Sequence, residues 1–522
     1  MSIVLPRSEV IFHSPLPPID IPEMSITDLV LAHAARLRDK PALVDAASGR
    51  GLSYGELEAG IRAGAARLAA TGFGRGSALA ILMPNCPAYA IAFHAATLAG
   101  GAVTTINPGY TAREIHAQLL DAGAIRLVTV PALLDAARAA AEGTAVEAIE
   151  VIGDEGPSEI ALQPTARPSF AVPDGVAALP YSSGTTGLSK GVMLTHRNLI
   201  ANVLQVNQAI SVGEPDVVMA VLPFFHIYGM QVMMNSGLSV GATLVTMPRF
   251  DLELFLRSHA QYRITATYVA PPIVVALAKH PMVAQFDLSS LRFMLSGAAP
   301  LSAATAAEAA ARVGCPVVQG YGMTELSPVS HFTPPHRDRP GAAGLLVANT
   351  ECRIVDPATG ESLGPDRDGE LWIRGPQVMA GYLNQPAATA ATLDAEGWLH
   401  TGDIAHVDAD GYLYVVDRLK ELIKYKGFQV PPAELEALLL AHPAVADAAV
   451  IGLPDDEAGE IPVAFVVLKP GQQADAAAIQ AHVASQVAHY KQLRRVEFIS
   501  AIPKSASGKI LRRVLREKAI MA

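Results

Sequence analysis

Cysteine is scarce in this sequence: Cys86, Cys315 and Cys352 are the only three in 522 residues, far apart and without any CxxC spacing. That pattern argues against a disulfide scaffold, a thiolate-bound metal and a dithiol redox centre, and it suits a reducing cytoplasm. An excess of basic residues is also lacking. Lys and Arg number 39 against 49 Asp and Glu, a net charge of -10, whereas a nucleic-acid binder carries a basic domain or stripe. An anionic small molecule must therefore be held by local groups. The N-terminus has neither the basic start nor the apolar block of a signal peptide, and Pro6, Glu9, Pro15, Pro17, Pro18 and Asp20 stand there instead, so secretion is not expected. Long hydrophobic runs are missing too. Ser77 to Ala112 carries no Asp, Glu, Lys or Arg, but Pro84, Asn85, Pro87, His94 and Gly100-Gly101 interrupt it. It reads as buried strand, helix and strand rather than as a membrane span of roughly 20 residues.

Apolar material is abundant. It makes up 51% of the residues while only 17% are charged, and the length exceeds one ordinary core, so a globular chain of several lobes is expected. From Ala78, short apolar runs alternate with helical ones: SALAILMP, CPAYAIAFHAATLAGG, VTTIN, TAREIHAQLLDAGA, IRLVTV and PALLDAARAAAEG. This is a βαβαβ pattern, with Thr111 and Glu114 spaced as a capping box at one helix start. The alternation resumes after Asp216 in DVVMAVLPFF, ATLVTM, ITATYVAPP, LRFMLSG and PVVQGYG. Near Gly369 it gives way to period-2 segments with Asp-Gly turns, GELWIRG and GWLHTGDIAHVDADGYLYVVD, which predict antiparallel hairpins. From Arg418 a basic segment, RLKELIKYKG, leads into a small α+β region.

The most specific local signal is YSSGTTGLSKGV, Tyr181 to Val192. Glycines let backbone N–H groups close on an anion, Ser and Thr hydroxyls add donors, and Lys190 adds charge. It is not a Walker A loop, because Ser189 rather than Gly precedes the lysine. A second pattern, Gly237-Leu238-Ser239-Val240-Gly241, fits GxSxG but follows a helical stretch and precedes a strand, the reverse of a nucleophile elbow, which disfavours a serine hydrolase.

With LPFFHIYG, YVAPPIV, SGAAPLS, QGYGMTELSPV, GELWIRG, WLHTGDIA, DRLKELIKYKGFQVPPAELE and PKSASGKILRR beside that loop, nearly the whole chain resembles the adenylate-forming superfamily. Within it the chain is most similar to 4-coumarate:CoA ligases. The resemblance implies an α/β fold. A large N-terminal AMP-binding domain, residues 1–419, would have doubly wound sheets and a β-rich lobe, and a small mobile α+β domain, residues 420–522, would turn on a hinge near Lys420. It implies an acid:CoA ligase that consumes ATP with Mg²⁺ and coenzyme A and passes through an acyl-adenylate. The expected substrate is 4-coumarate or a related cinnamate-type acid. Medium-chain fatty or arylalkanoic acids are the alternative, then an adenylation enzyme serving a carrier protein, and from another class a silent nucleotide-binding scaffold.

The resemblance also implies residue roles. Ser182, Ser183, Gly184, Thr185, Thr186, Gly187 and Lys190 would hold phosphate. Gln319, Gly320 and Tyr321 would line the nucleotide, with Tyr321 as the platform for adenine. Thr324 would donate to phosphate and Glu325 hold Mg²⁺. Asp403, with Arg418, would accept the ribose hydroxyls. Lys424 and Gln429 would meet AMP, and Arg249, Lys426 and Gly427 coenzyme A. If Lys424 to Lys426 runs as a strand, the two lysines share a face. Lys509 would bridge the carboxylate and the α-phosphate, and His226 would position the reacting groups. Tyr228, Val232, Leu295, Ala298, Gly322, Pro328 and Val329, with His226, would line an apolar acid pocket. Ser330 would leave room at its ring end where plant ligases carry a bulky aliphatic residue.

Overall fold

In the computed structural model, the alternating apolar runs become parallel strands joined by helices. The structure describes residues 10–153, 175–182, 189–337, 339–426, 428–455, 457–505 and 508–521. The Thr111–Glu114 pair does form a capping box: the Thr111 amide donates to Glu114 Oε2 at 2.8 Å and the Glu114 amide to Thr111 Oγ1 at 3.4 Å, starting helix Ala112–Ala122. Two large sheets share one plan. In one, Ala102–Thr105, Ala78–Leu82, Ala124–Thr129 and Ala148–Val151 are parallel, and Val176–Ser182 joins parallel to Ala102–Thr105 before turning back as Lys190–Thr195. In the other, Thr243–Thr246, Val217–Ala220, Ala266–Val269, Phe293–Ser296 and Val317–Gly322 are parallel, and the last turns back as Val329–Phe332. Each sheet therefore delivers one polar motif to the carboxyl ends of its strands, where open α/β sheets bind ligands.

A third, antiparallel sheet carries Glu351–Val355, Gly369–Arg374, Leu399–Val407 and Leu413–Arg418. Its burial alternates along Gly369–Arg374, with Gly369, Leu371 and Ile373 inward, as the period-2 pattern requires. Between Arg418 and Ile423 the chain passes to the last sheet, built on the long hairpin Val445–Asp455 and Gly459–Leu468. Helices Pro432–Ala441, Ala476–Ala484 and Arg512–Met521 accompany it, and Val430, Leu435, Leu439, Val450 and Ile479 pack into a core of its own. Among the described residues no helix is long and apolar enough to cross a membrane. The GLSVG segment closes helix Ser236–Ser239 and leads into Thr243–Thr246, and Ser239 Oγ donates to the Ser236 carbonyl at 2.8 Å. It is a helix end.

At the junction, Asp417 Oδ2 accepts the Ala433 amide at 2.9 Å, and the Arg512 guanidinium lies 3.0 Å from Glu421 and 2.7 Å from Glu436. The Arg512 side chain is only 11% exposed, so its removal leaves two buried carboxylates uncompensated. Arg512→Ala is expected to destabilise this part of the chain by about 3 kcal/mol, the scale for breaking a buried ion pair from one side. Urea titration checks it; a loss under about 1 kcal/mol, the range of exposed pairs, contradicts the assignment.

Candidate active site

The strands that flank the phosphate-type segment, Val176–Ser182 and Lys190–Thr195, pair antiparallel in the first sheet. Within that segment, Ser183, Gly184, Thr185, Thr186 and Gly187 lie outside the described residues. At the base, Ser182 and Lys190 are register partners, as are Tyr181 and Gly191. The Tyr181 hydroxyl donates to Asp121 Oδ2 at 2.7 Å, which ties the strand to helix Ala112–Ala122. The Lys190 ammonium lies 4.6 Å from the centre of the Tyr382 ring. The Tyr382 hydroxyl in turn donates to Glu325 Oε1 at 2.8 Å. Glu325 is 5% exposed, on the short turn Thr324–Leu326 that follows the second sheet's last parallel strand. Among the described residues no cluster of three or more His, Cys, Asp or Glu could hold a metal by itself. A single buried carboxylate fits Mg²⁺ that arrives on substrate phosphates, since that ion keeps few protein ligands.

A second polar cluster is built across sheets. Gln319, Gly320 and Tyr321 run along strand Val317–Gly322, and Gln319 Oε1 accepts the Leu301 amide at 3.2 Å. The Tyr321 hydroxyl donates to Asp403 Oδ2 at 2.6 Å, fixing the ring. Asp403 pairs in register with Arg418, whose Nε lies 3.3 Å from Asp403 Oδ1. Burial pushes the Asp403 carboxyl above its usual range, and Arg418 opposes this. Burial and Asp403 together keep the Tyr321 phenol protonated.

His226 stands at the start of a helical segment that continues through Tyr228–Asn235 as a π-helix. Burial, then Lys509, lowers its pKa to about 4, so the imidazole is neutral. The preceding loop is clamped by Asn85, which donates to the Ala220 and Leu222 carbonyls and accepts the Phe224 amide at 2.7 Å. Of the expected pocket residues, Tyr228 and Leu295 meet directly, the hydroxyl donating to the carbonyl at 3.2 Å. Gly297 lacks a side chain where a Cβ would stand 2.9 Å from the Tyr228 ring. Gly322 and Val329 are register partners, and a Cβ at Gly322 would strike the Pro328 carbonyl oxygen at 2.1 Å. Val232 is buried on the π-helix, while Ala298 is exposed at φ +72°. Ser330 is fully buried, with Oγ 3.0 Å from His331 Nδ1.

Lys509 reaches this site from the last part of the chain. The Ser505 amide donates to its carbonyl at 2.8 Å and its own amide donates to Ser505 Oγ at 3.1 Å. At Gly508, φ +83°, a Cβ would touch Ala270 and Pro272 at 3.3 Å, so the loop rests on the start of helix Pro271–Lys279. Burial, then Arg418, lowers the Lys509 pKa to about 8, against the pull of Glu421 and Asp403. Lys424 and Gln429 are register partners on an exposed hairpin. Lys426 does not extend that strand: it turns at φ +47° and its ammonium lies 2.5 Å from Glu457. The two lysines therefore do not share a face by strand alternation. Gly427 lies outside the described residues, and Arg249 is exposed after strand Thr243–Thr246.

Residues 30–383 match the model of the AMP-binding enzyme family, and residues 434–509 that of the AMP-binding enzyme C-terminal domain. The chain belongs to the AMP-binding enzyme family. It is 44% identical to 4-coumarate--CoA ligase 2 of Oryza sativa subsp. japonica, over 98% of this chain and 96% of that one. Among solved structures it is similar to the anthranilate CoA ligase AuaEII in complex with anthranoyl-AMP, TM-score 0.89 at 28% identity, over 96% and 98% of the two chains. It is also similar to MatB from Rhodopseudomonas palustris, 30% identical in the ATP-bound form, TM-score 0.88, over 95% and 99%. The apo form of MatB gives 0.77 over the same shares. Within its family the chain is an acid–thiol ligase of the adenylate-forming type.

The motifs assigned no role to Tyr382, which meets Glu325 from a remote segment, to Asn85, which holds the loop before His226, or to Glu421, which lies within the motif that carries Arg418. GYLN at the end of the first family region was the available signal for Tyr382. If Lys509 acts as an ammonium, its charge is complete below about pH 8 and lost above it. The kcat/KM for adenylate formation, which reports the free enzyme, is expected to fall above about pH 8. Lys509→Arg, slower overall, should lack that limb because guanidinium stays charged. The same limb in both proteins contradicts the assignment.

Proposed function

We propose that the chain activates a cinnamate-type acid, 4-coumarate foremost, as an acyl-adenylate and transfers the acyl group to coenzyme A. The mechanism is supported by the electrostatic reach of Lys509 to Asp403 and Arg418, with Asp403 in turn held by Tyr321 and Arg418. The acid identity rests on the identity to rice 4-coumarate--CoA ligase and on the largely apolar set of residues around Tyr228.

A carboxylate cannot expel oxide to a thiol, so it is first joined to AMP. At neutral pH the carboxylate already attacks ionised and needs no base, which suits a neutral His226 as a positioning group. Asp403 and Arg418 hold the ribose, Tyr321 the adenine, and Lys190, Ser182 and Thr324 the phosphates. Bound beside Glu325, Mg²⁺ offsets charge on the triphosphate. Lys509 stabilises the negative charge that grows on the α-phosphoryl oxygens as pyrophosphate leaves. In the reading offered here, residues 420–522 then turn about Lys420 as a domain distinct from residues 1–419, withdrawing Lys509 and admitting the thiol. Lys424, Gln429, Lys426 and Arg249 serve AMP and coenzyme A in the two orientations.

An acid panel with ATP and coenzyme A should give AMP, pyrophosphate and thioester, fastest with coumarate or a close relative. ADP and phosphate would remove the mechanism, and preference for medium-chain acids would change the substrate alone. Ser330→Leu should lower turnover of sinapate relative to coumarate; equal relative turnover excludes Ser330 as the size limit. Lys509→Ala should slow adenylation at least ~10²-fold, about 2.7 kcal/mol, while a supplied acyl-adenylate still reacts with coenzyme A. Equal slowing of both half-reactions in a folded variant contradicts a role confined to the first.

A further inference from the structure

Tyr382 stands between two groups assigned above to the phosphates. Its ring faces the Lys190 ammonium at 4.6 Å, and its hydroxyl donates to Glu325 at 2.8 Å. The side chain is largely buried, 7% exposed, and its backbone is held from several directions. Tyr382 is the register partner of Val192, two residues beyond Lys190 on the same strand. Its amide donates to Thr389 Oγ1 at 2.9 Å, and the Leu383 amide donates to the Gly191 carbonyl at 2.8 Å. The same segment holds the Glu325 backbone, the Met379 amide donating to its carbonyl at 2.9 Å. The short strand Gly381–Tyr382 thus links the lysine strand of one sheet to the acidic turn of the other.

The chemistry of the contacts explains why a phenol suits this place. An ammonium is attracted to the negative face of an aromatic ring, and a carboxylate takes a strong, directional bond from a hydroxyl. One side chain meets both demands at opposite parts of its surface and keeps the two charges apart. A direct ion pair would spend each charge on the other.

We propose that Tyr382 is a positioning residue for the phosphate end of the site: its hydroxyl orients Glu325 toward metal-bound ATP, and its ring steadies Lys190 against the same phosphates. This rests on the reading of Glu325 and Lys190 given above, and the two functions of the side chain are separable. Tyr382→Phe keeps the ring and removes only the hydroxyl; Tyr382→Leu removes both.

The test uses Mn²⁺ as the metal probe, read by electron paramagnetic resonance in the presence of ATP, and a fluorescent ATP analogue for metal-free binding. Tyr382→Phe should weaken Mn²⁺ binding to the ATP complex by about tenfold, the scale of a hydrogen bond to a charged group. Metal-free nucleotide affinity should stay at the wild-type value, while the melting temperature falls modestly because the buried Glu325 carboxylate loses its donor. Tyr382→Leu should also weaken metal-free nucleotide binding several-fold, through the lost contact with Lys190. In a Glu325→Gln background, Tyr382→Phe should add no further loss of Mn²⁺ affinity, because the two groups act as one unit. Wild-type Mn²⁺ affinity in Tyr382→Phe overturns the proposal, as does an undiminished loss in the Glu325→Gln background. Wild-type protein whose ATP complex takes up no Mn²⁺ removes instead the assignment of Glu325, a result distinct from either.

Discussion

The Lys509 ammonium is held in a partly buried place with too little negative charge around it. Burial and Arg418 both disfavour its charged form, and Asp403 and Glu421 compensate only in part, which leaves the pKa near 8 rather than at the usual lysine value. Asp403 is already shared, accepting from Tyr321 and facing Arg418. Anions arriving beside Lys509 would favour its charged form. A carboxylate and a triphosphate supply them, so in the proposed mechanism substrate binding and the seating of Lys509 favour each other. In that mechanism the cation sits on a part of the chain proposed to turn away after the first half-reaction. Once pyrophosphate has gone, less negative charge remains to hold it.

Three sheets have to converge for that cluster to exist. The parallel strands of the two large sheets end at hairpins that present Ser182, Lys190, Tyr321 and Glu325, and the antiparallel sheet supplies Asp403 and Arg418 in register. Small residues allow the approach. Gly322 leaves no space for a Cβ beside Pro328, and Gly297 clears the Tyr228 ring. Asn85 holds the loop before His226 through the carbonyls of Ala220 and Leu222. Backbone hydrogen bonds and packing bring the polar side chains together, and side-chain contacts such as Tyr321 to Asp403 and Tyr382 to Glu325 then fix them.

Much of this was legible in the sequence because it is locally encoded. The Thr111–Glu114 box, the βαβ alternation from Ala78 and the hairpins after Gly369 each state their conformation within a short window, and the motifs named Lys190, Tyr321, Glu325, Asp403 and Lys509 by resemblance. What escaped is non-local or conformational. Nothing near Tyr382 in sequence says that its hydroxyl meets Glu325, 57 residues earlier. Asn85 looked like an interruption in an apolar run, and only the fold turns it into a clamp. Lys426 looked like a strand residue beside Lys424, but the chain bends into the left-handed region at that point, a choice that a Lys-Gly pair does not announce. The aligned Asp403 and Arg418 were both named, yet their direct pairing depends on hairpin register.

In the proposed mechanism the arrangement of this structure performs the first half-reaction and is left for the second. Gly508 and Ala270 offer a way to lock it: a Cβ on Gly508, φ +83°, would lie 3.3 Å from that of Ala270, slightly inside the roughly 3.5–4.5 Å that a disulfide spans, so the loop must shift a little to take the bridge. The native cysteines are buried or partly buried and distant in sequence from the pair. In Ala270→Cys/Gly508→Cys, single-turnover measurement should show the oxidised protein releasing pyrophosphate and accumulating acyl-adenylate without thioester, with reduction restoring thioester formation. Thioester formed by the oxidised protein at the reduced protein's rate would contradict the account, because both half-reactions would then run with Lys509 in place.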